Sequence, residues 1–253
     1  MKNKVSAIII CMNEENKIRC CLESLLWVDE IVVVDSGSTD KTLEIVAEFT
    51  DKIFKTTVWP GFGSQKKFAE SKAENDWVFS IDSDEVVSGQ LRDEILQVLK
   101  NAEKETVYRV NRLTNFCNKY IKHSGWYPDK IVRLYNKQFY HFNDAMVHES
   151  VECKNAKIID MDGKLLHYTF ESLEEYIDKR NSYAKAWAKS QFEKGRRAGL
   201  ADILIRPPFA FIRHYLLKLG FLDGYHGYLI AVIQMQYTFN KYNFLKFLAV
   251  ATK

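Results

Sequence analysis

The sequence predicts an α/β fold on a mostly parallel sheet, followed by a helical segment at its C-terminal end. Three observations carry this. Apolar runs at residues 5–11, 31–34 and 77–81 alternate with helical patterns over the first hundred residues. Each run ends in polar groups: Asn13-Glu14-Glu15, then Asp35, then Asp82-Ser83-Asp84. Past residue 171 the pattern becomes helical. Strands alternating with helices form parallel sheets through right-handed crossovers. Polar groups delivered at strand C-terminal ends are how open α/β sheets build nucleotide sites.

Residues 5–11 are apolar enough for a buried strand, and 14–26 follow as a helix with Ile18, Leu22, Leu25 and Leu26 on one face. Ile31 to Val34 is the second strand, after which Ser38-Thr39-Asp40 offers capping side chains to a helix over 42–49. A short strand at 52–55, a Pro60-Gly61-Phe62-Gly63 turn, a helix over 64–73 and a strand at 77–81 come next. Ser88 is placed to cap a helix reaching residue 99. Between 106 and 169, β-like runs at 107–110, 131–135, 157–160 and 165–168 read as the rest of the sheet plus a small antiparallel lobe. The helical part divides at Gly195 to Gly199, with further helices over 203–219, marked by Pro207-Pro208, and 225–242. The expected domains are therefore 1–170 and 171–253.

At 253 residues the chain buries a full core, and its 47% hydrophobic content argues against wholesale disorder. A net charge of +3 is too small to argue for nucleic acid as a partner. Five cysteines without a C-x-x-C pair suggest neither a disulfide framework nor a zinc site, so a reducing, cytoplasmic compartment is expected. Residues 5–12 read as a first strand and not as a signal peptide. No uncharged apolar stretch reaches the roughly 18 residues needed to span a bilayer.

Two carboxylates two residues apart, where a strand runs into a loop, suit an octahedral Mg²⁺ or Mn²⁺ holding a diphosphate. Surface loops also produce D-x-D by chance, so the weight comes from the other two strand ends. Gly61-Phe62-Gly63 fails as a dinucleotide fingerprint, and no P-loop pattern occurs. The nucleotide must then be held by side chains and metal.

At these residues the chain resembles family 2 glycosyltransferases. The match runs from Val5-Ser6-Ala7-Ile8-Ile9-Ile10 and Asn13-Glu14, through Val33-Val34-Asp35-Ser36-Gly37-Ser38-Thr39-Asp40, to Asp82-Ser83-Asp84-Glu85. Gly125-Trp126-Tyr127-Pro128-Asp129 with Arg133-Leu134, Val147-His148-Glu149 and Gly220-Phe221-Leu222-Asp223-Gly224 are similar to a narrower branch. That branch comprises the lipopolysaccharide inner-core β-1,4-glucosyltransferases acting on heptose. The resemblance implies a GT-A, Rossmann-like fold and inverting transfer from a UDP-sugar to a lipid-linked core oligosaccharide, on the cytoplasmic face of the inner membrane. It implies uracil recognition by Asp35, nucleotide contacts from Asn13 and Glu14, and a diphosphate role for Lys66. Asp84 is the implied main metal ligand, and Asp82 reaches ribose or a metal-bound water. Glu149 takes the place of the general base, with Asp129 second. His148 orients Glu149, binds diphosphate or packs, and His167 has a weaker claim of the same kind. The same reaction on another glycan acceptor, or a non-catalytic membrane-recruited nucleotide-binding module, are the alternative readings.

Seven basic residues between Lys179 and Arg197 face one acid, Glu193. A basic stretch followed by aromatic-rich helices reads either as a membrane-surface arm or as a packed appendage with solvated cations.

Overall fold

The computed structural model describes residues 3–170 and 172–251. Glu171, expected to open the helical segment, lies outside the described residues, as do Met1, Lys2, Thr252 and Lys253. The chain divides into two compact units, Met1–Arg112 with Asp129–Tyr168, and Leu113–Pro128 with Thr169–Lys253.

In chain order the strands are β1 (Val5–Cys11), β2 (Glu30–Asp35), β3 (Ile53–Lys55), β4 (Trp77–Ser80), β5 (Glu85–Val87), β6 (Thr106–Phe116), β7 (Lys119–Tyr120), β8 (Asp129–Asn136), β9 (His141–Phe142), β10 (Val151–Glu152) and β11 (Lys157–Phe170). The helices of the first unit are α1 (Ile18–Glu23), α2 (Thr42–Ala47), α3 (Phe62–Lys72) and α4 (Gly89–Val98).

The first unit has the expected α/β class. Its sheet runs β3-β2-β1-β4-β8-β6-β11-β5. The β3-β2-β1-β4 side is parallel, and the β4–β8, β8–β6 and β11–β5 junctions are antiparallel. A separate antiparallel ribbon pairs β9 with β10.

The period-two alternation of a strand splits the core in two. Val5, Ala7, Ile9, Val33, Trp77 and Phe79 face one way, onto Ile18, Leu22, Val46, Leu91 and Ile95 of α1, α2 and α4. Ile8, Ile10, Val32, Val34 and Val78 face the other way, onto Ala69 of α3 and Phe142 and Val151 of the ribbon. Burial on both faces is why these strands read as unbroken apolar runs.

Of the boundaries that differ from expectation, three have a local cause. α1 begins at Ile18 and not at residue 14, because the main chain at 13–15 is tied to the loop after β2. Lys41 stands at the start of α2, although the Asp40 carboxylate still accepts the Thr42 N–H at 3.0 Å. The runs at 157–160 and 165–168 are one strand, β11. Its Gly163 is where Leu91 packs: an added Cβ would lie 2.4 Å from the Leu91 main chain.

In the second unit, α5 (Leu173–Glu193) is capped by Ser172. α6 (Leu200–Leu204), α7 (Arg206–Ile212), a π-helical turn (Arg213–Leu217), a 3₁₀ turn (Gly220–Asp223) and α8 (Tyr225–Ala251) follow. The expected helix over 203–219 is thus broken. Pro207 and Pro208 fall in the first turn of α7, where a missing N–H costs nothing. Phe116, Ile121, Tyr176, Ile230 and Ile233 form this unit's core.

Candidate active site

The parallel register places Cys11 beside Asp35, so the loops leaving β1 and β2 lie side by side and zip together. The Asn13 N–H donates to Ser38 Oγ (2.9 Å), the Thr39 N–H to Asn13 Oδ1 (2.8 Å) and the Glu14 N–H to Thr42 Oγ1 (2.8 Å). Asp35 is buried, and its carboxylate accepts from the Gly37 and Ser38 N–H groups at 3.0–3.2 Å and from the Ser38 hydroxyl. Its present partners therefore close its own loop. Asn13 is held at φ 56°, a conformation that asparagine tolerates better than most residues.

The segment after β4 is a tight turn in which the Glu85 N–H donates to the Asp82 carbonyl at 3.0 Å. Its carboxylates meet a buried cation from β8. Arg133 Nη2 lies 2.6 Å from Asp82 Oδ2 and 2.7 Å from Glu85 Oε1. Lys66 of α3 lies 2.8 Å from Asp82 Oδ1 and 2.8 Å from Glu149 Oε1. Arg112 of β6 supports Glu85 at 3.4 Å and pairs with Asp129 at 2.8 Å.

These charges set the ionisation states. Burial works against the Asp82 carboxylate, but the Arg133 and Lys66 cations outweigh it and hold its pKa well below the usual range. Burial pushes Glu85 upward, against the pull of Arg133 and with the repulsion of Asp82. Asp84 is pushed up by burial and more than pulled back by His167, whose Nε2 stands 3.3 Å from Asp84 Oδ2, so its pKa ends below normal.

Lys66, Asp82, Arg112, Arg133, His148 and Glu149 line one cavity of about 580 Å³, within the size range of small-molecule sites. The loop carrying His148 and Glu149 is docked on the start of α3, where the Phe62 and Gly63 N–H groups donate to the carbonyls of Met146 (3.3 Å) and Ala145 (3.0 Å). Gly63 makes this approach possible, since a Cβ there would lie 2.0 Å from the Asn143 carbonyl oxygen. The glycine pair that fails as a dinucleotide motif therefore positions Glu149.

Of the residues singled out from sequence, the structure gathers Lys66, Asp82, His148 and Glu149 around the cavity. Asp84 stands beside Asp82 in the turn, facing His167. Asn13, Glu14 and Asp35 sit at the neighbouring strand ends. Asp129 is paired with Arg112. Arg133, Glu85 and Arg112 received no role from sequence, because charges in an alternating strand read as its solvent face.

For a divalent cation, both oxygens of Asp82 already face cations. Asp84 Oδ2 and His167 Nε2 are the donors that converge, and among the described residues no cluster of three or more His, Cys, Asp or Glu exists to complete a shell. The Asp84 carboxylate is the hard oxygen donor that Mn²⁺ or Mg²⁺ takes, with diphosphate oxygens and water to fill the other positions and His167 beside it.

Among solved structures, the chain is similar to TarS of S. aureus, with TM-score 0.45 and 19% identity over 73% of this chain and 39% of that one. It is also similar to glucosyl-3-phosphoglycerate synthase of Mycobacterium tuberculosis in complex with Mn²⁺ and UDP-glucose, with TM-score 0.37 and 25% identity over 45% of this chain and 44% of that one. The chain spans less than half the length of either. In sequence it is 31% identical over 248 residues to the lipopolysaccharide core biosynthesis glycosyltransferase LpsC of Rhizobium meliloti, covering 94% of this chain and 90% of that protein. An uncharacterized glycosyltransferase of Rickettsia felis is 31% identical over 243 residues, 91% of this chain and 85% of its own length. Residues 6–154, which include both strand-end loops, the D-x-D turn, Arg133 and Glu149, match the model of glycosyl transferase family 2, and the chain belongs to that family.

Proposed function

We propose that this glycosyltransferase moves a hexose, glucose in the first instance, from a UDP-sugar to a heptose of the lipopolysaccharide inner core, with inversion and with a divalent cation. The carrying observation is that Lys66 joins the D-x-D carboxylate Asp82 to Glu149 on one cavity, at 2.8 Å on each side. The kinship with LpsC supports the choice of acceptor class. In this reading the catalytic work belongs to residues 1–170, and 171–253 serve the approach to a membrane-borne acceptor at the cytoplasmic face of the inner membrane.

Asp35, Asn13 and Glu14 receive the nucleoside. Asp84, with His167 beside it, would hold Mg²⁺ or Mn²⁺, which supplies positive charge to the diphosphate leaving group. Asp82, kept ionised by Arg133 and Lys66, anchors the ribose or a metal-bound water. Glu149 takes the proton from the acceptor hydroxyl, with Lys66 fixing its carboxylate and His148 beside it. Asp129 is the weaker candidate, since its carboxylate is held by Arg112.

The test is transfer from UDP-glucose to a truncated, heptose-terminated core acceptor, with the anomeric configuration read by NMR. Glu149→Gln should lower turnover by about 10²–10⁴-fold and leave UDP binding intact. A silent Glu149→Gln with a dead Asp129→Asn would assign the base to Asp129, and a product of retained configuration would refute the mechanism.

A further inference from the structure

We infer that residues 200–225 of the second unit form a membrane-interface anchor, an apolar stripe that lies in the headgroup region of an anionic bilayer. Ile205, Phe209, Ile212, Leu216 and Leu219 recur at spacings of four, three, four and three, and each is 43–66% exposed. Leu200, Leu204, Leu217, Leu222 and Tyr225 extend the exposed surface. On the other side Ile203 and Pro207 are buried, and α7 packs on α8. The stripe is therefore the unpartnered face of an element whose other face is already used. Contiguous exposed apolar surface of this kind marks an interaction site.

Charge selects the occupant. Between Lys194 and Tyr228 there are six Lys or Arg and two acids. Of the acids, Asp202 is paired with Arg206 at 2.5 Å and Asp223 is buried. Exposed Arg213 and Lys218 interleave with the stripe, while the Arg206 charge is balanced by Asp202. A second copy docking on the same face would set cation against cation, whereas an anionic leaflet neutralises them. Apolar residues on one face and cations beside them are what an interfacial helix needs. Among the described residues no helix is long and apolar enough to cross a bilayer, so the segment lies on the membrane. This places the hold on an apolar surface and not on the basic helix α5.

The inference rests on the proposed membrane-surface reading, and flotation of the purified full chain separates the two. Vesicles of phosphatidylcholine are compared with vesicles of phosphatidylcholine mixed with phosphatidylglycerol, at low and molar salt. The expected result is binding to the mixed vesicles that partly survives molar salt, because apolar contacts are not screened. Phe209→Ser combined with Leu216→Ser and Leu217→Ser should lower partitioning by roughly tenfold or more. Its thermal midpoint and its slow hydrolysis of UDP-glucose should hold, since all three side chains are exposed. Lys185→Gln with Lys189→Gln on α5 should have the smaller effect. If the α5 variant abolishes binding and the stripe variant does not, the anchor is wrong and the membrane reading stands. If neither vesicle binds, both are wrong. A chain that dimerises through the stripe without binding lipid would assign the face to a second copy and overturn the inference.

Discussion

Both units hold acids at the base of a loop, and the two units neutralise them with different partners. In the first unit Asp82 and Glu85 meet side-chain cations, Arg133, Lys66 and Arg112, on the wall of a cavity. In the second, Asp223 meets main chain: the N–H groups of Lys122 and His123 donate to it at 3.1 and 2.9 Å, with His123 Nδ1 at 3.2 Å. Backbone donors cannot move without the fold moving. Long cationic side chains can exchange one anion for another, a property that a site receiving a diphosphate requires. Burial alone therefore does not separate an acid on the cavity from a structural one; there the identity of the partner does, whereas Asp35 at the neighbouring strand end is held by backbone donors as Asp223 is.

The largest expected effect tests the working side. Asp84→Ala removes the carboxylate that converges with His167, and several kcal/mol of leaving-group stabilisation should go with it, roughly 10³-fold or more in rate. Thermal stability should hardly change. Wild-type protein stripped by chelator should lose activity and UDP affinity together and recover both with Mn²⁺ or Mg²⁺. Full activity in chelator would remove the D-x-D turn from the mechanism.

Arg133→Met keeps the volume and leaves the buried Glu85 and the partly exposed Asp82 without their shared cation, at about 3–5 kcal/mol. Burial already pushes Glu85 toward its protonated form, so the loss measured by urea unfolding should shrink as pH falls from 7 toward 5. An equal loss at both pH values would mean that Arg133 acts by packing alone.

On the structural side, Asp223→Ala should cost about 1–3 kcal/mol by leaving the Lys122 and His123 N–H groups unpaired. UDP-sugar hydrolysis per folded molecule should stay unchanged. Gly220-Phe221-Leu222-Asp223-Gly224, which from sequence served only as a mark of kinship, thereby becomes a clamp on residues 122–124. A drop in activity without a drop in stability would erase the contrast between the units.

What could be read from the sequence followed the same physics. β1, β2 and β4 were legible because burial on both faces makes a strand wholly apolar, and the Ser88 cap is made as expected, accepting the Leu91 N–H. β11 was not, because a glycine within a strand reads as a break when its cause, the approach of Leu91, lies 72 positions away. Residues 113–128 join the second unit without any shift of composition to announce it. At the site, the acids of the D-x-D turn stood at a strand end where their chemistry is visible, and Glu149 was reached through the family resemblance alone. Arg133 and Glu85 were silent because a buried ion pair looks, residue by residue, like two exposed charges. Lys66 was given to the diphosphate, and the structure finds its ammonium between Asp82 and Glu149.

The smallest effect concerns another buried acid, one that belongs to neither class. Glu70 of α3 faces His141 Nδ1 at 3.3 Å and the Tyr135 hydroxyl, and its Oε1 lacks a partner in hydrogen-bonding geometry. It has neither a guanidinium nor a row of backbone donors. Burial accordingly raises its pKa, with Tyr135 and His141 only partly opposing. A carboxyl raised above its unfolded value contributes stability that is fully present below the unfolded pKa, about 4.3 for Glu, and is lost as pH rises through the folded value. The wild-type chain should therefore lose some stability between about pH 4.5 and 7 that Glu70→Gln does not lose, and the variant should be the more stable of the two at pH 7. Thermal midpoints across that range decide it. Parallel curves for the two proteins would mean that Glu70 is ionised at no cost, and that imidazole and phenol neutralise a buried acid as well as Arg133 does.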